Sequence, residues 1–341
     1  MPEFRDHSLT PWGARSDNVP ASRIAIGDAK DEDSRPTPSS CLTIIVTTYD
    51  LSRKRYLRTL IDSLALQKSK NFEVVVVVER HPELCEAIRE YLRLKGLNSK
   101  VVVNDGKRGI SASRNVGIGL SSQDVVSIVD DDVFLYETWV SSVLALFENK
   151  EVIAATGPVL PLWEDASMSW FPGEFHWLVG CSSWSNRNHI METRNVWGAN
   201  MAFRRSELLR VGGFSTKIGG IYGRRLHGEE NELSLRLKGG GGTIVFSPDM
   251  KVGHFVSRRR LNIRQVMKSS FDMGRTRVLY MGNRSLMSDE VGVVSRILRR
   301  GLCSLFQMPV KPKQASYVIF LSMVVISLGA LGFLNGLASR K

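Results

Sequence analysis

Two acidic clusters carry the residue types and spacing that chemistry needs. In SIVDDDVF (127–134) three carboxylates follow directly on a short apolar run, and like charges this close suppress one another's ionisation unless something neutralises them. Asp130 and Asp132, one residue apart, project from the same side of an extended strand end, which suits a hard divalent cation bound through oxygen. The alternative is a solvated acidic turn, since turns are rich in Asp; the buried-strand signal just before the cluster favours the cation. In GEENELSLRL (228–237) Glu229, Glu230 and Glu232 open a predicted helix, where the helix dipole alone favours carboxylates by ~0.3–1 kcal/mol, so a purely structural role competes with a chemical one. His254 in KVGHFV suits either a metal ligand or a packed histidine. Arg114 and Asn115 in SASRNVGI read by themselves as a surface charge and a helix cap.

The elements around these residues alternate. LTIIVTTY (42–49), EVVVVV (73–78), KVVVN (100–104) and DVVSIV (124–129) are short apolar runs of the kind buried on both faces of a sheet. Between them SRKRYLRTLIDSLALQ places Leu57, Leu60, Ile61 and Leu64 on one helical face behind a Ser52 cap, PELCEAIREYLRLKG begins with proline and ends with glycine, and SASRNVGIGLS gives a helical turn or two. Strand–helix alternation predicts an α/β fold, a mostly parallel sheet with helices on both faces. Ligands then bind at the carboxyl ends of the strands. That rule brings TTYD (47–50), ERHP (79–82), NDGKRGISASRN (104–115) and the Asp130–Asp132 cluster onto one rim. The aromatic-rich stretch 158–194, with Trp163, Trp170, Phe171, Phe175, Trp177 and Trp184, reads as a substrate-covering insertion or as core filling.

Composition sets the outer limits. A chain of 341 residues with 43% hydrophobic content is long enough for one large or two moderate domains. The +12 net charge suits nucleic acid, anionic lipid or a phosphorylated substrate without choosing among them. Cys41, Cys85, Cys181 and Cys303 lack the close spacing of a zinc or redox site and read as reduced thiols. Residues 1–40 hold five prolines and no apolar period, the pattern of a mobile arm, and no secretory signal opens the chain. YVIFLSMVVISLGALGFLNGLA (317–338) exceeds the ~20 apolar residues that cross a bilayer. Arg296, Arg299, Arg300, Lys311 and Lys313 precede it and only Arg340 and Lys341 follow, which puts the large domain on the cytoplasmic side of a single-pass cell-membrane protein. The expected division is an arm (1–40), a catalytic domain (41–256), basic juxtamembrane helices (257–313) and a transmembrane helix (314–339).

LTIIVTTYD, GISASRNVGI, VDDDVF, WGANMAFRRSELLRVGGF, GEENELSLRL and VGHFV occur in the order found in family 2 glycosyltransferases. Over roughly residues 41–256 the chain resembles that family, and with its C-terminal apolar segment and WFPGEFHWLVGC (170–181) it is most similar to archaeal members that extend dolichyl-phosphate-linked sugars. The resemblance implies the GT-A fold, a nucleotide-sugar donor, a Mg2+ or Mn2+ cofactor and inversion at the anomeric carbon. It implies that Asp132 is the direct metal ligand, that Asp130 lies near the ribose and metal, and that His254 supplies a further metal contact. Thr47 and Tyr49 match positions that touch the base, and Arg114 and Asn115 match an Arg-Asn pair beside the donor. Glu79 stands where many relatives have an Asp that accepts from uracil, a departure that leaves the base open. Glu230 aligns with the catalytic base and is one methylene longer than the usual Asp.

A base is informative in itself, because a sugar hydroxyl must lose a proton as it attacks whereas a lipid phosphate is already anionic. A polyprenyl- or dolichyl-phosphate-linked saccharide at a membrane is therefore the expected acceptor, with direct transfer to polyprenyl phosphate as the alternative. A non-catalytic anion-binding protein is the third reading. Nucleic acid is not expected as a partner, since carboxylates on the rim would repel it. The run SRRRLNIRQVMKSSFDMGRTR (257–277) fits lipid phosphate, and VSRILRRGLCSLFQMPV (294–310) is a basic amphipathic stretch suited to an interface.

Overall fold

The computed structural model describes residues 41–49, 51–182, 188–217, 228–278 and 284–339; the expected arm at 1–40, Asp50 and Trp184 lie outside the described residues. The strands are β1 (Leu42–Thr48), β2 (Phe72–Glu79), β3 (Ser99–Asn104), β4 (Val125–Asp130), β5 (Val133–Leu135), β6 (Val152–Thr156), β7 (Val159–Trp163), β8 (Met191–Glu192), β9 (Asn200–Arg204), β10 (Thr243–Phe246) and β11 (Val252–Val256). The helices are α1 (Lys54–Ala65), α2 (Pro82–Leu94), α3 (Ile110–Leu120), α4 (Trp139–Glu148), α5 (Arg205–Arg210), α6 (Glu229–Lys238), α7 (Ile263–Arg277), α8 (Arg284–Gln307) and α9 (Pro312–Ala338).

The main sheet runs β3-β2-β1-β4-β9-β6-β10-β8, with β3, β2, β1 and β4 all parallel and β9 antiparallel between β4 and β6. Alternation along the buried strands divides the core in two. Leu42, Ile44 and Val46 with Val74, Val76 and Val78 meet Leu57, Leu60 and Leu64 of α1, Ile88 of α2 and Trp139 of α4. Ile45, Val75 and Val77 meet Ile118 of α3, Leu208 of α5 and Leu233 of α6 on the other face. Helices therefore cover both faces, as the sequence predicts. Burying each such aliphatic side chain contributes ~1.5–3 kcal/mol relative to leaving it in water, and the buried Thr43 of β1 is paired with Glu73 of β2 at 2.8 Å.

Local details depart from expectation in two places. The first helix starts at Lys54, after a 3-10 turn at Leu51–Arg53, so that Arg53 and not Ser52 occupies the cap. Helix α3 is longer than a turn or two, because Gly117 sits against Ile45 of β1, where a methyl would fall 2.5 Å from Cγ2. Gly117, which weakens the helical signal in the sequence, lets the helix lie directly on the sheet.

A second sheet, β5-β11-β7, positions the acidic cluster. β4 leaves the main sheet at Asp130, opposite Thr47 of β1. The chain turns through Asp131 and Asp132, then pairs as β5 with β11, which sets His254 opposite Val133. The three aspartates thus sit where the chain switches sheets, at the carboxyl ends of β1 and β4.

The aromatic stretch fills a core. Phe171 and Phe175 are buried, with Trp163, Trp170 and Trp177 packed against them. Helix α9 is long and apolar enough to cross a membrane by length and composition, and begins at Pro312, two residues earlier than the sequence suggests.

Candidate active site

Asp130, Asp132 and His254 each offer a ligand atom, and those atoms lie within 4.8 Å of one another. His254 Nε2 is 3.4 Å from Asp132 Oδ1. Among the described residues, that oxygen and Asp131 Oδ2 are buried without a hydrogen-bond partner, which an acceptor-only group does not tolerate cheaply. Two carboxylates and an imidazole form a donor set that suits Mg2+ or Mn2+, and the unpartnered oxygen of Asp132 is the observation that fits such an ion to these residues.

Arginines supply the remaining neutralisation. Asp132 pairs with Arg53 and, at 2.9 Å, with Arg260 Nη2; Arg53 Nη1 also reaches Asp131 at 3.0 Å. Arg260 donates from Nη1 to the Val179 carbonyl at 3.2 Å. Gly180, at φ +85°, lies against both partners: a methyl there would fall 2.9 Å from Arg260 Nη1 and 3.2 Å from the His254 ring. A side chain at this left-handed position would be strained and would push the cluster apart.

Burial and charge set the protonation states. Burial pushes the Asp131 carboxyl up to about 7, with Arg53 opposing it. Burial also works against Asp132, but His254, Arg53 and Arg260 outweigh it and hold the carboxyl below its usual range. Since burial drives His254 itself down to about 4, the imidazole is neutral near pH 7 with a lone pair free to ligate, and the two guanidinium groups keep Asp132 ionised. Burial raises Asp130, against the pull of Arg114.

Arg114 links the two acidic clusters. It is 1% exposed on α3, and its guanidinium donates to Glu229 at 2.8 Å, Asp130 at 3.2 Å and the Gly198 carbonyl at 3.3 Å. Glu230 follows Glu229 in the first turn of α6. A methyl on Gly198 would fall 3.8 Å from the Glu230 carboxyl carbon and 3.9 Å from Arg114 Nη2, so the glycine leaves both groups room. The half-buried Glu230 carboxyl is pushed up to about 8 by burial first and by Glu229 second. Near neutral pH it is poised to exchange a proton.

Of the other residues picked out in the sequence, Thr47 is half-buried opposite Asp130, and Tyr49 lies on the rim with the Arg53 guanidinium 5.9 Å from its ring centroid. Glu79 and Asn115 are engaged elsewhere. The Glu79 carboxylate accepts from the Gly109 N–H and from Ser113 Oγ, at the start of α3. Asn115 bonds both the carbonyl and the N–H of Phe214 at 2.8 Å. Sequence reasoning missed Arg53 as an aspartate partner and placed Arg260 only in a basic run. Each follows a strand that ends on the rim, β1 and β11, and this position is the signal that could have found them.

Residues 43–209 match the family model described as glycosyl transferase family 2. The glucosyl-dolichyl phosphate glucuronosyltransferase of Haloferax volcanii is 30% identical over 237 residues, covering 68% of this chain and 75% of that protein. The succinoglycan biosynthesis protein ExoM of Rhizobium meliloti is 25% identical over 251 residues, 71% of this chain and 75% of its own length. Among solved structures, the mannosyltransferase PcManGT of Pyrobaculum calidifontis, in complex with GDP-Man and Mn2+, aligns with a TM-score of 0.57 at 16% identity over 87% of this chain and 88% of that one.

Proposed function

The chain belongs to glycosyl transferase family 2 and is a glycosyltransferase, and from that premise we propose that it moves a sugar from a nucleotide sugar onto a polyprenyl- or dolichyl-phosphate-linked saccharide at a membrane. The observation that carries this reading is the convergence, on one rim, of a metal-type donor set at Asp130, Asp132 and His254 with a carboxyl group at Glu230 whose proton affinity is tuned to about 8. The activity named for the Haloferax relative and the GDP-Man and Mn2+ bound to the Pyrobaculum fold neighbour support it.

Each residue has a role in this reading. Asp132, Asp130 and His254 would hold a divalent ion, and such an ion would supply Lewis-acid stabilisation of the departing diphosphate's charge. Arg53 and Arg260 hold the aspartates in place and offer guanidinium groups to phosphate oxygens. Arg114 fixes Asp130 and Glu229 against each other and so sets the spacing between the metal and base halves of the site. Glu230 takes the proton of the attacking hydroxyl, a step worth on the order of 10²- to 10⁴-fold. Attack by that hydroxyl in a single displacement, with no residue serving as covalent nucleophile, inverts the anomeric centre. The product belongs with lipid-linked glycans of the kind assembled for protein N-glycosylation. The basic residues ahead of α9 support attachment of the catalytic domain to the anionic cytoplasmic leaflet.

The test is transfer itself. The full chain in membranes is incubated with a panel of nucleotide sugars and lipid-linked acceptors, and product is extracted into chloroform–methanol. Label should enter the lipid fraction with one donor and should stop on addition of EDTA. Donor binding indifferent to EDTA, with no lipid-soluble product from any donor, would overturn the reading.

A further inference from the structure

Helix α9 is covered along one face by the rest of the protein. Ala315, Val318, Leu321, Ser322, Val325, Gly332 and Gly336 form its buried stripe. Toward its start, Trp170 meets Tyr317 edge-on at 5.5 Å, and Val318 and Leu321 join the core that contains Phe171 and Phe175. Toward its end, α7 runs beside it in the same direction, backbone against backbone. Gly274 touches the Gly329 carbonyl, Gly332 the Phe271 carbonyl and Gly336 the Arg275 carbonyl, each too close for a side chain. Small residues permit this approach.

The contact fixes the depth of α7 relative to α9. Helix α7 carries Arg264, Lys268, Asp272, Arg275 and Arg277, and Asp272 is buried beside Arg275 at 3.7 Å. If α9 crossed a bilayer, these charges would be drawn to the depth of Ser322–Gly336, where ionised groups are strongly disfavoured.

Among the described residues, the opposite face is apolar and exposed. On α9 it presents Phe320, Met323, Leu331 and Leu334, from 45% to 59% exposed. Helix α8 returns antiparallel to α9, with Ser322 Oγ donating to the Ile297 carbonyl at 3.4 Å, and its own outward stripe is Val294, Leu298, Leu302, Leu305 and Phe306, the last 87% exposed. Exposed Arg296 and Arg299 flank the stripe on α8, and Lys311 and Lys313 stand at the start of α9. An apolar face rimmed by basic residues matches the hydrocarbon and headgroup layers of an anionic leaflet.

We propose that the α8–α9 hairpin lies in the plane of a bilayer leaflet, its outward apolar face among the lipid chains and its basic rim on anionic headgroups, instead of α9 crossing the membrane. This rests on the reading that the enzyme works at a membrane, and it adds that the catalytic domain and the C-terminus share one side. In sealed vesicles from expressing cells, protease that reaches the catalytic domain should also remove a tag appended after Lys341; a tag protected until detergent is added overturns the proposal. Separately, the purified full chain should float with phosphatidylcholine vesicles more strongly when they contain phosphatidylglycerol. The double variant Leu302→Asp, Phe306→Asp should reduce that binding about tenfold or more with an unchanged Tm. Wild-type flotation of the double variant also overturns the proposal. Neither measurement uses sugar transfer, so the transferase reading and this one fail separately.

Discussion

Replacing Glu230 by Gln keeps the shape of the side chain and removes its ability to take a proton. With the carboxyl at about 8, about one-tenth of it is ionised at pH 7 and about nine-tenths at pH 9. A rate limited by proton removal therefore climbs by up to about tenfold between those values, less where a bound divalent ion draws the pKa down, and levels off above the pKa. The Gln variant should lose ~10²- to 10⁴-fold in turnover, equivalent to ~2.7–5.5 kcal/mol of transition-state stabilisation, and its residual rate should be flat with pH. Glu229→Gln supplies the control. It removes the neighbouring negative charge and frees the Arg114 guanidinium, so the ascending limb should move to lower pH. Initial rates at saturating donor and acceptor, at fixed free metal, measure both effects. A Gln variant within about threefold of wild type would refute the role of Glu230 and point to an acceptor that is already ionised, such as a polyprenyl phosphate.

Three further outcomes follow from the metal half of the site. Arg260→Ala removes a cation 2.9 Å from Asp132, so Mn2+ should bind about tenfold more tightly, ~1.4 kcal/mol, while nucleotide-sugar affinity falls; calorimetric titration separates the two, and weaker metal binding would show that Arg260 aligns the ligands and does not compete for them. Gly180→Ala forces a side chain into the left-handed region at a cost of ~1–2 kcal/mol and into contact with Arg260 and His254, lowering both Tm and metal affinity; an unchanged metal affinity would show that the two groups yield freely. His254 lies near 4 in the folded protein against 6.5 in the unfolded chain. Its lowered pKa contributes stability that is complete above about 6.5 and lost as pH falls toward 4, ~3 kcal/mol in all. Metal-free denaturation curves should show that acid limb in wild type and a shallower one in His254→Gln.

The sheet was legible because its central strands carry short unbroken runs of valine and isoleucine between turn signals, the pattern of strands buried on both faces. Asp130 and Asp132 stood out because they follow a buried strand, whereas Glu230, at a helix start where the dipole alone favours carboxylates, was picked out by the resemblance to the family. Glu79 and Asn115 carry the same letters as ligand contacts, yet their side chains satisfy backbone groups at Gly109 and Phe214. Local composition cannot separate an Asn that caps from an Asn that binds, because the deciding partner is 99 residues away. Arg53 and Arg260 were obscured differently. Each sits among other basic residues, SRKR and SRRR, and only the meeting of β1, β4 and β11 selects the one in each run that reaches Asp132.

The charge balance explains why the site is built this way. Asp130, Asp131, Asp132, Glu229 and Glu230 are five carboxyl groups, and Arg53, Arg114 and Arg260 are the guanidinium groups paired among them. Full ionisation would leave two negative charges unmatched in a poorly hydrated cleft, and the protein relieves this by holding Asp131 up near 7 and Glu230 near 8. Two is also the charge of one divalent ion. Such an ion, if held beside Asp132, would favour the ionised form of every carboxyl near it, the proposed base Glu230 among them. In the proposed mechanism metal binding and base activation would therefore be coupled electrostatically, with Arg114, bonded to Asp130 on one side and Glu229 on the other, between the two halves.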